Sequence, residues 1–130
     1  MDLKNKAVWI TGASSGIGRA LVLDCASRGA KIVLSARNVA ELKAVQAEAG
    51  LTAADSLIIP LDLKKYSAFG KEVQKVLKKF GAVDLLINNG GISQRALAHE
   101  TQLGVRRADG GELFGNIALA MAIITFYARA

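Results

Sequence analysis

The stretch Thr11-Gly12-Ala13-Ser14-Ser15-Gly16-Ile17-Gly18 constrains this chain more than any other part of it. It joins the apolar run Ala7-Val8-Trp9-Ile10 to an amphipathic segment that starts at Ile17, which predicts a glycine-rich turn between a strand and a helix. Such a turn gathers backbone N–H groups and the positive end of a helix at one point, a place suited to a phosphate or pyrophosphate. Glycine is called for because a Cβ would hold the anion away or forbid a positive φ. The spacing is G-x-x-x-G-x-G rather than G-x-G-x-x-G.

The rest of the chain alternates in period. A first strand is expected at Lys6 to Ile10 and a helix from about Ser15 to Arg28, with Ile17, Ala20, Leu21 and Cys25 at helical spacing and Gly29 as its stop. Lys31 to Ser35 is a β-branched run with no room for a hairpin back to the first strand, so a right-handed crossover and a parallel sheet are expected. Asn38 stands three positions before Glu41 in the manner of a capping box, and the helix it opens carries Leu42 and Val45 toward Gly50. A third strand is expected at Leu57 to Leu61, where Pro60 suits a sheet edge. A third helix is expected from about Ser67 to Phe80 and a fourth strand from Val83 to Asn88. This alternation predicts an α/β fold with a doubly wound parallel sheet in the order 3-2-1-4, a Rossmann fold, with residues 1–130 as a single dinucleotide-binding domain. The pattern weakens after Asn88, and residues 108–130 read as a divergent region ending in an apolar helix from Glu112 onward.

In that strand order a crevice opens between the carboxyl ends of strands 1 and 4. The glycine turn forms one wall and Asn88-Asn89-Gly90-Gly91 the other, two surfaces without bulky side chains that suit a flat, extended dinucleotide. An acid at the tip of strand 2, about 20 residues past the glycines, would hold the ribose hydroxyls of NAD. Here the tip reads Ser35-Ala36-Arg37-Asn38, so no acid repels a 2′-phosphate and Arg37 offers it a charged fork. NADP(H) is therefore expected over NAD(H), against the plainer reading of Arg37 as a solvated surface residue. Asp62 ends strand 3 with Leu63 beside it and could accept from an adenine amino group, or simply start a helix. Ser14 and Ser15 read as loop hydroxyls for phosphate, since no G-x-S-x-G elbow or partner histidine accompanies them.

Composition limits the alternatives. With 52% hydrophobic residues the 130-residue chain can build a core. Its net charge of +6 comes with only 5% aromatic residues and scattered basic positions, which argues against a nucleic-acid surface. Lys71, Lys75, Lys78 and Lys79 fall on one side of the third helix, opposite Phe69, Val73, Val76, Leu77 and Phe80, as a solvated basic face. Cys25 is the single cysteine and is placed in the core; His99, the single histidine, has no metal-ligand cluster around it, and no metal is expected. The charged start and the absence of a long apolar run predict a cytoplasmic protein with no membrane association.

The T-G-x-x-x-G-I-G block, Leu61-Asp62-Leu63 and Asn88-Asn89-Gly90-Gly91, in this order, resemble the short-chain dehydrogenase/reductase (SDR) family from about Lys6 to Leu97. The continuation Ile92-Ser93-Gln94-Arg95 looks like a dehydrogenase/reductase branch with N-N-G-G in place of the usual N-N-A-G. The resemblance implies hydride transfer between NADP(H) and a carbonyl or alcohol. It places the phosphates on Gly12 to Gly18, including Ser14, Ser15, Gly16 and Ile17, the adenine near Asp62 and Leu63, and the nicotinamide ribose near Asn89, Gly90 and Gly91, and Arg37 and Asn38 at the strand 2 tip complete the expected cofactor-binding residues. It also implies a Y-x-x-x-K pair and a serine as catalytic groups. Neither Tyr66, with Gly70 four positions beyond it, nor Tyr127 fits, and the family's helix asparagine before Gly115 has no counterpart at Glu112. No catalytic residue is therefore assigned, and the chain is expected to be incomplete relative to a full SDR domain and inactive alone. An apolar strand 4 at an edge, together with the terminal helix, points to a homo-oligomer or aggregate, and a non-catalytic module that binds a dinucleotide or a partner is the alternative.

Overall fold

The computed structural model describes residues 2–62 and 69–89. Within them the elements run in the order β1 (Ala7–Thr11), α1 (Gly16–Ser27), β2 (Lys31–Ser35), α2 (Val39–Glu48), β3 (Ser56–Ile58), α3 (Phe69–Phe80) and β4 (Leu85–Ile87). The strands form one sheet in the order β3-β2-β1-β4, and every pairing is parallel. This is the doubly wound arrangement expected from the alternation of strands and helices.

Strand β1 is buried along its whole length, between β2 and β4. Successive side chains on a strand point to opposite faces, and here they separate two cores. Val8 and Ile10 join Ile32 and Leu34 of β2 beneath Val22 and Cys25 of α1 and Leu42 and Val45 of α2. Trp9 joins Val33 on the other face, against Phe69, Val73 and Val76 of α3. The crossovers therefore cover both faces of the sheet, which is why its strands are apolar runs with no polar alternation.

The helices stop where the sequence indicates. Beyond α1, Gly29 N–H donates to Ala26 O and Ala30 N–H to Cys25 O, and the same pair of bonds recurs after α2 from Gly50 to Ala47 O and from Leu51 to Gln46 O. Both are Schellman endings. Asn38 caps α2, its Oδ1 accepting from Glu41 N–H at 3.1 Å. Helix α3 exposes Lys71, Lys75, Lys78 and Lys79 and buries Phe69, Val73 and Val76. Glu72 in its first turn and Lys78 and Lys79 in its last oppose the helix dipole.

Three expectations need correction. The buried stripe of α1 is Gly18, Val22 and Cys25, with Leu21 half-buried, whereas Ile17 is 70% exposed and Ala20 is exposed. The close seat of Gly18 against the loop turns that side of the helix inward and carries Ile17 out. The β3 ladder is Ser56–Ile58 and not Leu57 to Leu61. Ile59 N–H still donates to Leu34 O and Leu61 N–H to Ala36 O, and Pro60 lies between these two donors, where its missing N–H interrupts neither bond. Strand β4 is likewise shorter than Val83 to Asn88, because Asp84 turns back to the start of β1. Its N–H donates to Ala7 O at 2.9 Å and its Oδ2 accepts from Ala7 N–H at 2.8 Å.

The two cores carry the stability of this arrangement, so Leu42→Ala, which empties a fully buried site beneath α2, should cost about 2–5 kcal/mol in urea unfolding. Lys71→Ala on the exposed side of α3 should stay within about 0.5 kcal/mol of the parent chain.

Candidate functional site

The carboxyl ends of β1, β2 and β4 lie side by side, and the loop after β1 is built there from four constraints. Gly12 and Gly16 have positive φ values of 65° and 58°, a region that costs other residues energy. Ala13 is fully buried in the core beneath α1 and donates its N–H to Ser35 O at 3.1 Å, which ties the loop to the tip of β2. Ser15 has extended backbone and its side chain makes no capping bond to α1. Arg19 N–H closes onto Ser15 O, so among the described residues the N–H groups of Gly16, Ile17 and Gly18 are not consumed by the helix ladder. They face an exposed helix start, the electrostatic condition for holding an anion.

Gly18 sets how closely α1 approaches that loop. A Cβ there would lie 1.9 Å from Gly12 O and 2.9 Å from Asn89 Nδ2. Both walls of the crevice thus converge on Gly18, and only a hydrogen fits between them.

The opposite wall is held by Thr11, the first residue of the T-G-x-x-x-G-I-G block, which the sequence reading places outside the first strand and the structure makes the last residue of β1. Its hydroxyl is buried, accepts from Asn89 N–H at 3.0 Å and donates to Ile87 O at 3.4 Å. One side chain therefore fixes the exit of β4 against the exit of β1. The signal is present in the sequence: a threonine immediately before the first glycine of the loop, where an apolar strand residue is the default. Asn88 is exposed and Asn89 half-buried.

At the tip of β2, Ser35 is fully buried and accepts from Trp9 Nε1–H at 2.8 Å. The chain then emerges. Arg37 and Asn38 are exposed, and among the described residues no carboxylate pairs with Arg37. Asn38 has its side-chain oxygen committed to the α2 cap. Asp62 comes directly after Leu61, whose N–H bonds to Ala36 O, so it is carried to the same rim and is half-buried. Gly12, Ser14, Ser15, Gly16, Ile17, Gly18, Arg37, Asn38, Asp62 and Asn89 thus all lie on the carboxyl rim of the sheet. Leu63, Gly90 and Gly91 lie outside the described residues, as do Tyr66, His99 and Tyr127.

Two other groups have defined partners. Arg19, one turn into α1, makes a two-pronged ion pair with Glu48 at the end of α2, and that hydrogen bond together with the carboxylate charge raises the Arg19 pKa. Burial raises the Cys25 pKa, aided by the neighbouring Asp24 charge and opposed by Arg28, which keeps it a protonated core thiol. Among the described residues no cluster of metal-ligating side chains occurs, and no helix is long and apolar enough to cross a membrane.

A parallel sheet in this order with a T-G-x-x-x-G-x-G loop at its switch point is the geometry of a nicotinamide dinucleotide fold. The sequence model of the short chain dehydrogenase family matches residues 6–107, and the chain belongs to the short-chain dehydrogenase/reductase family. It is 43% identical over 110 residues to human dehydrogenase/reductase SDR family member 7, an alignment that takes in 82% of this chain and 32% of that protein. It is 41% identical over 128 residues to the dehydrogenase/reductase SDR family protein 7-like of Anopheles gambiae, covering 94% of this chain and 40% of that one. A short chain dehydrogenase from Bacillus anthracis superposes with a TM-score of 0.81 at 26% identity, over 99% of this chain and 52% of its own. A metagenomic short-chain oxidoreductase in complex with NADP superposes with a TM-score of 0.73 at 28% identity, over 96% of this chain and 57% of its own. The chain thus spans about a third of the length of the family member 7 relatives and about half that of the solved structures.

Gly18→Ala, whose methyl would meet the Gly12 carbonyl, should lower the stability of the chain by about 3 kcal/mol or more through overpacking. Gly16→Ala has open space around the added methyl and should cost only the backbone strain of its positive φ, about 1–2 kcal/mol. Thermal melts of the two variants measure the difference. Equal melts would mean that the Gly12 carbonyl yields freely.

Proposed function

We propose that this chain is the NADP(H)-binding portion of an SDR oxidoreductase, whose family reaction moves a hydride between the nicotinamide and a carbonyl or alcohol. The observation that carries the cofactor choice is Arg37, exposed two residues beyond β2, with neither an acid at that tip nor a carboxylate partner among the described residues. The NADP complex of the metagenomic oxidoreductase supports it by likeness of fold. In this reading the α1 start at Gly16, Ile17 and Gly18 receives the pyrophosphate, assisted by Gly12 and the Ser14 and Ser15 hydroxyls. Arg37 and the amide nitrogen of Asn38 take the 2′-phosphate, Asp62 and Leu63 the adenine, and Asn89, Gly90 and Gly91 the nicotinamide ribose. The fit rests on the crowding at Gly18, where the backbone makes a cradle that a single Cβ would fill.

A hydride reaction also needs a proton donor held beside the carbonyl oxygen. The sequence of 130 residues contains no Y-x-x-x-K, so we assign no catalytic group and expect binding without turnover from this chain by itself, as a single cytoplasmic Rossmann domain. A second reading, a module that pairs with another chain, has one observation in its favour: β4 is the outermost strand on its side of the described sheet, and Leu85, Leu86 and Ile87 are only half-buried. Sizing at several concentrations separates the two, since edge pairing requires a concentration-dependent dimer.

Cofactor fluorescence on titration tests the first reading. Arg37→Ala removes charge-assisted hydrogen bonds of about 1.5–3 kcal/mol, so NADPH affinity should fall about tenfold to a hundredfold while NADH affinity barely moves. Equal losses for both would reject Arg37 as the reader of the phosphate.

A further inference from the structure

We infer that the buried Trp9–Ser35 hydrogen bond is a positioning device for the 2′-phosphate end of the nucleotide, and that these two side chains set cofactor preference without touching the cofactor. The inference rests on the NADP(H) reading above and deepens it.

Ser35 is the last residue of β2 and is fully buried, a place where an apolar side chain would complete the core. Its register partner on β1 is Thr11, while Trp9 pairs with Val33, so Trp9 and Ser35 are diagonal neighbours on the α3 face of the sheet. The indole N–H spans that diagonal to donate to Ser35 Oγ at 2.8 Å. A buried indole needs an acceptor and a buried hydroxyl needs a donor, so each removes the other's desolvation cost. The bond ties the centre of β1 to the point where β2 leaves the sheet.

The short segment from Ser35 to Asn38 transmits this anchor to the rim. The Ser35 carbonyl accepts from Ala13 N–H of the glycine loop, and the Ala36 carbonyl accepts from Leu61 N–H. Asn38, one residue past Arg37, is fixed as the cap of α2. Arg37 therefore sits on a two-residue link held at both ends, and its side chain is the part left to solvent. Pyrophosphate binding depends on the Ala13 tie, which is a backbone bond and survives loss of the Ser35 hydroxyl. The Ala36 and Asn38 bonds also survive that loss and keep the link in place; in this proposal the Ser35 side-chain anchor sets the angle at which Arg37 leaves it. Loosening that anchor should therefore weaken binding of the phosphorylated cofactor selectively.

The test compares NADPH and NADH affinities, and thermal melts, for the full chain and three variants. The parent chain should prefer NADPH. Ser35→Ala and Trp9→Phe should each lower NADPH affinity by about threefold to tenfold, the scale on which residues that do not touch a ligand alter its binding, with NADH affinity changed less than about twofold. Val33→Ala, a cavity on the same face and strand, should lower the melting temperature and leave the NADPH to NADH ratio intact. A parent chain without preference for NADPH would sink the cofactor reading and this inference with it. A parent that prefers NADPH, with Ser35→Ala keeping the parental ratio, would overturn the inference alone. So would a Val33→Ala chain that loses the ratio as fully as Ser35→Ala, because the effect would then belong to packing in general.

Discussion

The rest of the structure depends on β1 being bonded on both sides and covered on both faces. Parallel strands cannot be joined by tight hairpins, so each neighbour of β1 arrives by a helical crossover, and the crossovers place α1 and α2 on one face and α3 on the other. Four chain exits then lie at the same rim: those after Thr11, after Ser35, after Ile58 and after Ile87. A crevice at that rim is a consequence of the topology, before any side chain is chosen.

Side chains then decide how tightly the rim is held. The tip of β2 and the exit of β4 are each pinned to β1 through a buried hydroxyl: the Ser35 hydroxyl takes the Trp9 indole N–H, and the Thr11 hydroxyl joins the Asn89 N–H to the Ile87 carbonyl. Between the walls Gly18 packs against the Gly12 carbonyl with no room for a Cβ. The polar groups that line the rim are therefore anchored from beneath, while Ser15, Gly16, Ile17 and Arg37 present themselves to solvent. An anion arriving there meets N–H groups already oriented, and its binding need not order the loop.

Much of this is legible in the sequence, for identifiable reasons. The glycine spacing, the β-branched runs and the Gly29 and Gly50 stops each mark a local conformation, the absence of hairpin-length connections implies a parallel sheet, and the alternation of strands and helices behind a glycine loop implies its order. The buried face of α1 is easily misjudged because Ile17 is apolar while Gly18 has no side chain to score. Helical periodicity counts apolar residues, and at this position the closest packing is made by the residue with none. Strand propensity does not register the single bonds at the ends of β3 and β4: the Ile59 and Leu61 N–H groups reach Leu34 O and Ala36 O on either side of Pro60, and Asp84 holds Ala7 through its N–H and its carboxylate. Thr11, Trp9 and Ser35 escape as a group since their significance lies in pairings across strands, which become visible only once the register is known.

In the proposed function the rim built on β1 receives a nicotinamide dinucleotide phosphorylated at the 2′ position. The most direct measurement is an amide-resolved NMR titration of the ¹⁵N-labelled chain with NADPH. Shifts concentrated at Gly12 to Gly18, Arg37 and Asn89, with those at Arg37 absent when NADH replaces NADPH, are the predicted result. Saturable NADPH binding whose shifts fall on the exposed lysines of α3 and spare the glycine loop would contradict it.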